Sequence, residues 1–242
     1  MAKKVLELNV DFKEQSKSGD NGSFSLQPLE RGYGTTIGNA MRRVLLTSIP
    51  GAAITHVKID GVQHEFSTIE GVKEDVADII MNLKKVRFKL MDNAPDKVTL
   101  SITGKKSFTA QDIQNASDQF EVLNPEEYIT EVNSKGKLDI ELRIGIGKGY
   151  VPSEANDMPN LPVGTLSIDS IFNPVTNVTF NIQPVPGAKD PIEILSLDVT
   201  TDGSITAKDA VSYTATYLRE HFKFIEAISN PNVLEISRSE EH

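Results

Sequence analysis

Between Thr206 and Asn230 the sequence specifies one long amphipathic helix. Asp202-Gly203 makes a turn before it, Thr206 with Asp209 three residues later forms an imperfect capping box, and Asn230-Pro231 stops it. Val211, Thr214, Leu218, Phe222 and Ile225 fall along one side. About 22 residues at ~1.5 Å each give roughly 33 Å, long for a small α+β domain. Tyr213, Tyr217 and Phe224 flank the stripe, so the apolar arc is wide. Such an arc either covers two surfaces, one of them on another chain, or lies across its own sheet; periodicity leaves both open.

The rest of the chain is strand-rich. Val5, Leu6, Leu8, Val10 and Phe12 form one apolar segment and Phe24, Leu26 and Leu29 another, with a polar loop from Gln15 to Gly22 between them. A helix follows, with Thr35 or Thr36 as its cap, Ile37, Met41, Val44 and Leu45 as its stripe, and Pro50-Gly51 as its stop. Asp60-Gly61 predicts a two-residue hairpin turn, with Val57, Ile59, Val62 and His64 on one face and His56, Lys58, Gln63 and Glu65 on the other. Val72 to Leu83 reads as a second helix. Residues 86–144 alternate with period two, as half-buried antiparallel strands do. Seven of the 12 prolines lie between Pro152 and Pro191, which excludes a long helix there. Short strands are expected at Thr165–Asp169, Val178–Ile182 and Ile192–Thr200.

Composition narrows the chemistry. A chain of 242 residues with 38% hydrophobic and 24% charged residues is globular and has core enough to fold without staples. Cysteine is absent, which excludes disulfides, thiolate metal ligation and a cysteine nucleophile. No apolar run reaches the roughly 18 residues of a membrane span. MAKKVLELNV has no apolar h-region, so a cytoplasmic protein is expected. The net charge is −9, with residues 1–50 at +2 and the remainder at −11. That balance argues against non-specific nucleic-acid binding over the whole surface. Lys84, Lys85, Arg87 and Lys89 make the best local basic patch.

Three patterns invite a catalytic reading. Gly32, Gly34 and Gly38 stand between a strand and a helix, where a phosphate loop would sit. The third glycine is one residue late for a dinucleotide fingerprint, and no parallel strand follows. Gly145–Tyr150 (GIGKGY) has the glycines and lysine of a phosphate loop but neither its spacing nor its helix, and reads as a flexible loop. The four histidines, His56, His64, His221 and His242, form no ligand pair at zinc spacing. His64 is expected to pack at a core edge. No cofactor and no metal are implied. Arg42 and Arg43 lie mid-helix beside small residues, Gly38, Asn39 and Ala40, so something can approach that helix closely.

ERGYGTTIGNAMRRVLLTSIPG, at 30–51, strongly resembles the alpha subunit of bacterial DNA-directed RNA polymerase. The likeness continues through VKIDGVQHEFSTIEGVKEDVADIIMNLK at Val57–Lys84. It recurs weakly at Gly147–Pro152, at Asn173–Ile182 and from Leu197 onward. Segments 106–135 and 153–162 match poorly.

The resemblance implies an α+β fold with a discontinuous dimerisation domain, residues 1–50 and 177–242, built from an antiparallel sheet and two packed helices at 35–48 and 206–228. A mostly-β domain, 51–176, is inserted in it. The implied role is a non-catalytic homodimeric scaffold on which the beta and beta-prime subunits assemble, one copy mainly touching each.

The expected dimer interface comprises Ile37, Met41, Val44, Leu45, Val211, Leu218, Phe222 and Ile225. Arg31, Asn39, Arg42, Arg43, His64 and Glu65 are the expected large-subunit contacts, and the family associates the second arginine with the beta subunit. Full-length members continue into a DNA-binding domain. This sequence stops at His242 without it, so no direct specific DNA binding is expected. A nucleotide-dependent enzyme using Gly32–Gly38 and a generic dimeric interaction module are the rival readings.

Overall fold

A computed structural model describes residues 11–90, 96–104, 106–156 and 161–228. Val5 to Val10 and Asn230-Pro231 lie outside these. In chain order the elements are β1 (Asp11–Ser18), β2 (Asn21–Glu30), α1 (Tyr33–Thr47), β3 (Pro50–Ile59), α2 (Val76–Leu83), β4 (Phe88–Leu90), β5 (Asp96–Thr103) and β6 (Lys106–Thr109). There follow α3 (Ala110–Gln114), β7 (Phe120–Val122), β8 (Tyr128–Val132), β9 (Lys137–Lys148), β10 (Tyr150–Val151), β11 (Thr165–Ser167) and β12 (Ser170–Ile171). The last are β13 (Val175–Pro184), β14 (Ile192–Thr201) and α4 (Ala207–Glu226). Every paired strand is antiparallel, so the fold is α+β. The chain divides into two compact units, 1–49 with 175–201 and 206–242, and 50–174 with 202–205.

The first unit is a four-stranded sheet in the order β1-β2-β14-β13, with α1 and α4 packed on it and on each other. Its core holds Phe24, Met41, Leu45, Val178, Leu195, Leu197 and Val211. The turn between β1 and β2 is only Gly19-Asp20, so both strands run further than the expected Gln15–Gly22 loop allowed. Helix α1 starts at Tyr33, ahead of the expected Thr35 or Thr36. Its N-cap is Gly32 at φ +90°, a conformation that a side chain disfavours. Thr206 caps α4 as read, its Oγ1 accepting from the Asp209 N–H at 3.1 Å.

In the second unit, β5-β9-β3-β4-β7 form the main sheet and β11 pairs with β3. The turn at Asp60-Gly61 exists, with the Val62 N–H donating to Ile59 at 3.1 Å, but no hairpin follows it. The long partner of β3 is β9, paired from Pro50–Lys148 to Ile59–Ile140. A turn signature is local, whereas strand partners are chosen by the whole apolar surface. Helix α2 begins at Val76, capped by Asp75; Val72, read as helical, instead bridges to Val132. Short helix α3 was not foreseen. The GIGKGY segment is the end of β9, a turn and β10, not a loose loop.

Candidate functional site

On α1 the buried positions are Gly34, Gly38, Met41 and Leu45, one stripe along the helix. The two glycines let α1 lie close on the sheet. A Cβ at Gly38 would sit 2.7 Å from the Phe180 ring of β13, and one at Gly34 would sit 2.9 Å from the Glu193 carboxylate of β14. What approaches this helix closely is therefore its own sheet. The Glu193 carboxylate also accepts from the Gly32 N–H at 3.0 Å and the Gly34 N–H at 3.3 Å. The amides that a phosphate would need are already occupied by an internal anion, which argues against nucleotide binding at Gly32–Gly38.

The two neighbouring arginines have different surroundings. The Arg42 Nε donates to the Val178 carbonyl on β13 at 3.2 Å. Arg43 lies about 170° around the helix from the mean of the buried stripe. It is exposed, and its guanidinium has no hydrogen-bond or ion-pair partner among the described residues. Asn39 is exposed on the same outer side, and Arg31 is exposed just before the helix. His64 and Glu65, in the second unit, are exposed as well. His64 is not packed at a core edge: its Nδ1 meets Ser67 Oγ at 3.1 Å. Among the described residues the buried histidine is His56, 2% exposed, held by Thr55 Oγ1 and by the Asn156 carbonyl, each at 2.8 Å. From His56 to Ile59 the ladder is regular, so His56 does lie on the face opposite Val57 and Ile59; that face is not open to water there, because the segment carrying Asn156 covers it.

The residues expected at a dimer interface divide into two groups. Leu45 is 0% exposed inside its own unit and has no surface left for a second chain, while Met41 and Val211 are buried there too. Ile37, Val44 and Leu218 are half-buried. Phe222 and Ile225 are 62% and 61% exposed. On α4 the stripe is thus covered over its first two turns, at Ala207, Ala210, Val211 and Thr214, and uncovered over its last two. Phe224 and Ile228 add further exposed apolar surface there. Along the first half of α4, that helix, α1 and the sheet border an apolar groove of about 470 Å³, lined by Leu26, Ile37, Met41, Leu197, Val211 and Ala215 among others.

Two features escaped sequence reasoning. Phe66 is 80% exposed beside His64 and Glu65, in a segment that had been read as a strand. Glu193 reaches α1 from 161 residues away, and no local pattern announces it. The expected basic patch proves internally paired. Lys84 bridges to Asp169 at 2.9 Å, Lys85 bonds Asn82 at 3.0 Å, Arg87 donates to the Ile171 carbonyl at 3.2 Å, and Lys89 lies 4.0 Å from Glu121. No helix among the described residues is long and apolar enough to cross a membrane.

The family described as the RNA polymerase Rpb3/RpoA insert domain matches residues 57–173, a range inside the second unit. The DNA-directed RNA polymerase subunit alpha of Chlorobaculum tepidum is 48% identical over 232 residues, 96% of this chain and 70% of that protein. The subunit of the same name from Salinibacter ruber is 47% identical over 93% of this chain and 69% of its own length. That from Prosthecochloris aestuarii is 50% identical over 88% and 65%.

Proposed function

The chain belongs to the family of bacterial DNA-directed RNA polymerase alpha subunits, and from that premise we propose that it is a non-catalytic assembly scaffold. The relatives place it in the machinery of DNA-directed transcription, a nucleotidyltransferase complex. In the proposed role two copies pair through the first unit, and the dimer receives the beta and beta-prime subunits in the cytoplasm. No active site resides on the chain itself.

The observation that carries this reading is the α4 stripe, covered over its first half, half-buried at Leu218 and bare at Phe222 and Ile225. Burying a large aliphatic or aromatic side chain contributes roughly 1.5–3 kcal/mol. Phe222 and Ile225 counted twice by symmetry reach the order of the ~4–15 kcal/mol that association costs, and Leu218 adds what remains exposed of it. Ile37 and Val44 on α1 are half-buried, Ile37 lining the apolar groove, and in the proposed dimer they add to the contact.

Arg43 is the proposed anchor for a large subunit. Its planar fork can hold a carboxylate or two carbonyls, and none of the described residues occupies it. Arg31, Asn39 and Arg42 lie on or beside the same helix, and His64 and Glu65 form a second contact in the other unit. Truncating one member of a desolvated charged contact costs about 2–5 kcal/mol, or roughly 30- to several-thousand-fold in affinity. Arg43→Ala is expected to keep the wild-type melting temperature and dimer mass while failing to retain beta in a pulldown. Normal retention would return Arg43 to an ordinary solvated arginine. Loss of the dimer would place it on the wrong face. A wild-type dimer that retains no large subunit would leave the generic dimeric module as the better reading.

A further inference from the structure

We propose that Glu193 is a positioning residue for the subunit-joining face of α1, a proposal that rests on the scaffold reading above. Helix α1 begins without the usual devices: its N-cap is Gly32, which has no side chain, and its first turn has no acidic residue. The free amides that a cap would satisfy are met from β14. Glu193 spreads its carboxylate over them, Oε1 accepting from Gly32 at 3.0 Å and Oε2 from Gly34 at 3.3 Å. An anion at this end is favoured by the helix dipole, and hydrogen bonds to a charged acceptor are the stronger kind.

The surrounding chain is shaped to this contact. Gly34 is buried, and any Cβ there would meet Glu193 Oε2 at 2.9 Å and Ile182 at 3.2 Å. The β14–β2 register slips between Glu193 and Leu195: Glu193 faces Leu29, but Leu195 faces Leu26. The extra residue is therefore on β2, in the stretch holding Pro28, which has no N–H for the ladder. Such irregularities re-aim neighbouring side chains. Sheet and helix are locked at one point, and that point fixes where α1 starts. Arg31 lies next to the lock, and Asn39 and Arg43 follow on the outer face of the helix it holds.

The test uses the full chain with Glu193→Ala and Glu193→Gln, the latter keeping length and one acceptor oxygen but no charge. Hydrogen exchange is read at the Gly32 and Gly34 amides, with the β2–β14 ladder amides as internal reference, and capture of the beta subunit is read in parallel. Glu193→Ala is expected to speed exchange at the two amides at least roughly tenfold and to weaken capture by a similar factor, with the ladder unchanged and Glu193→Gln intermediate. If Glu193→Ala also unprotects the ladder, Glu193→Gln decides by the same criteria. Unchanged exchange at Gly32 and Gly34 would overturn the proposal. So would faster exchange with wild-type capture, which would leave Glu193 a cap and nothing more. Failure of the wild-type chain to capture beta overturns the scaffold reading itself, and this proposal with it.

Discussion

At the scale of single residues, Gly38 sets how closely α1 lies on its sheet. Helix propensity alone would favour alanine there by about 1 kcal/mol. Against that, a Cβ would stand 2.7 and 2.8 Å from two carbons of the Phe180 ring and 3.0 Å from its Cγ, so the whole ring must move. Overpacking of this kind costs about 1–3 kcal/mol. Gly38→Ala is therefore expected to destabilise the protein by up to ~2 kcal/mol in urea unfolding; a stabilised variant would show that β13 yields freely. The glycines at 32, 34 and 38 were visible in the sequence as a cluster beside a helix, but not their purpose. At 32 it is the positive φ of the N-cap; at 34 and 38 it lies in Phe180, Ile182 and Glu193, some 140–160 positions further on, and no local spacing encodes it. Arg42 and Arg43 separate for the same reason: only the placement of β13 decides which of them is held.

At the scale of elements, Glu74 holds the segment entering α2 against β8. It accepts from Thr130 Oγ1 at 2.7 Å, Tyr128 OH at 2.8 Å and the Glu131 N–H at 3.1 Å. Burial pushes its pKa up, but those three hydrogen bonds and Lys73 outweigh burial and leave it below the ordinary 4.5. A carboxylate depressed in the folded state stabilises fully above its ordinary pKa and loses that stabilisation as pH falls through the lowered one. Tyr128 has the opposite sense. Burial and the bond to Glu74 push it up to about 12, so its contribution is intact below the ordinary 10.0 and fades as pH rises toward 12. Glu74→Gln should therefore melt below wild type at pH 7, with the gap closing as pH falls through and below the glutamate range. A gap independent of pH would mean that the carboxylate charge contributes nothing.

The elements themselves differed in how far the sequence revealed them. Helix α4 and its Thr206 cap were legible because periodicity and capping are local. The Asp60-Gly61 turn was legible too, but the partner of β3 was not. That strand pairs with β9, about 80 residues later, and leaves His64 exposed while His56 is buried.

At the scale of the whole molecule, the central claim is that the bare half of α4 is meant for a second copy. An isolated protomer leaves Phe222, Phe224, Ile225 and Ile228 between 61% and 83% exposed on one helix end. A dimer interface removes that surface from water, and a charge placed within it would have to be desolvated. The direct test is sedimentation of the wild-type chain and of Phe222→Asp at micromolar concentration. The account predicts a wild-type dimer, near twice the 26.5 kDa of one chain, and a folded monomer for the variant. A wild-type monomer, or a dimer that Phe222→Asp leaves intact, would contradict it.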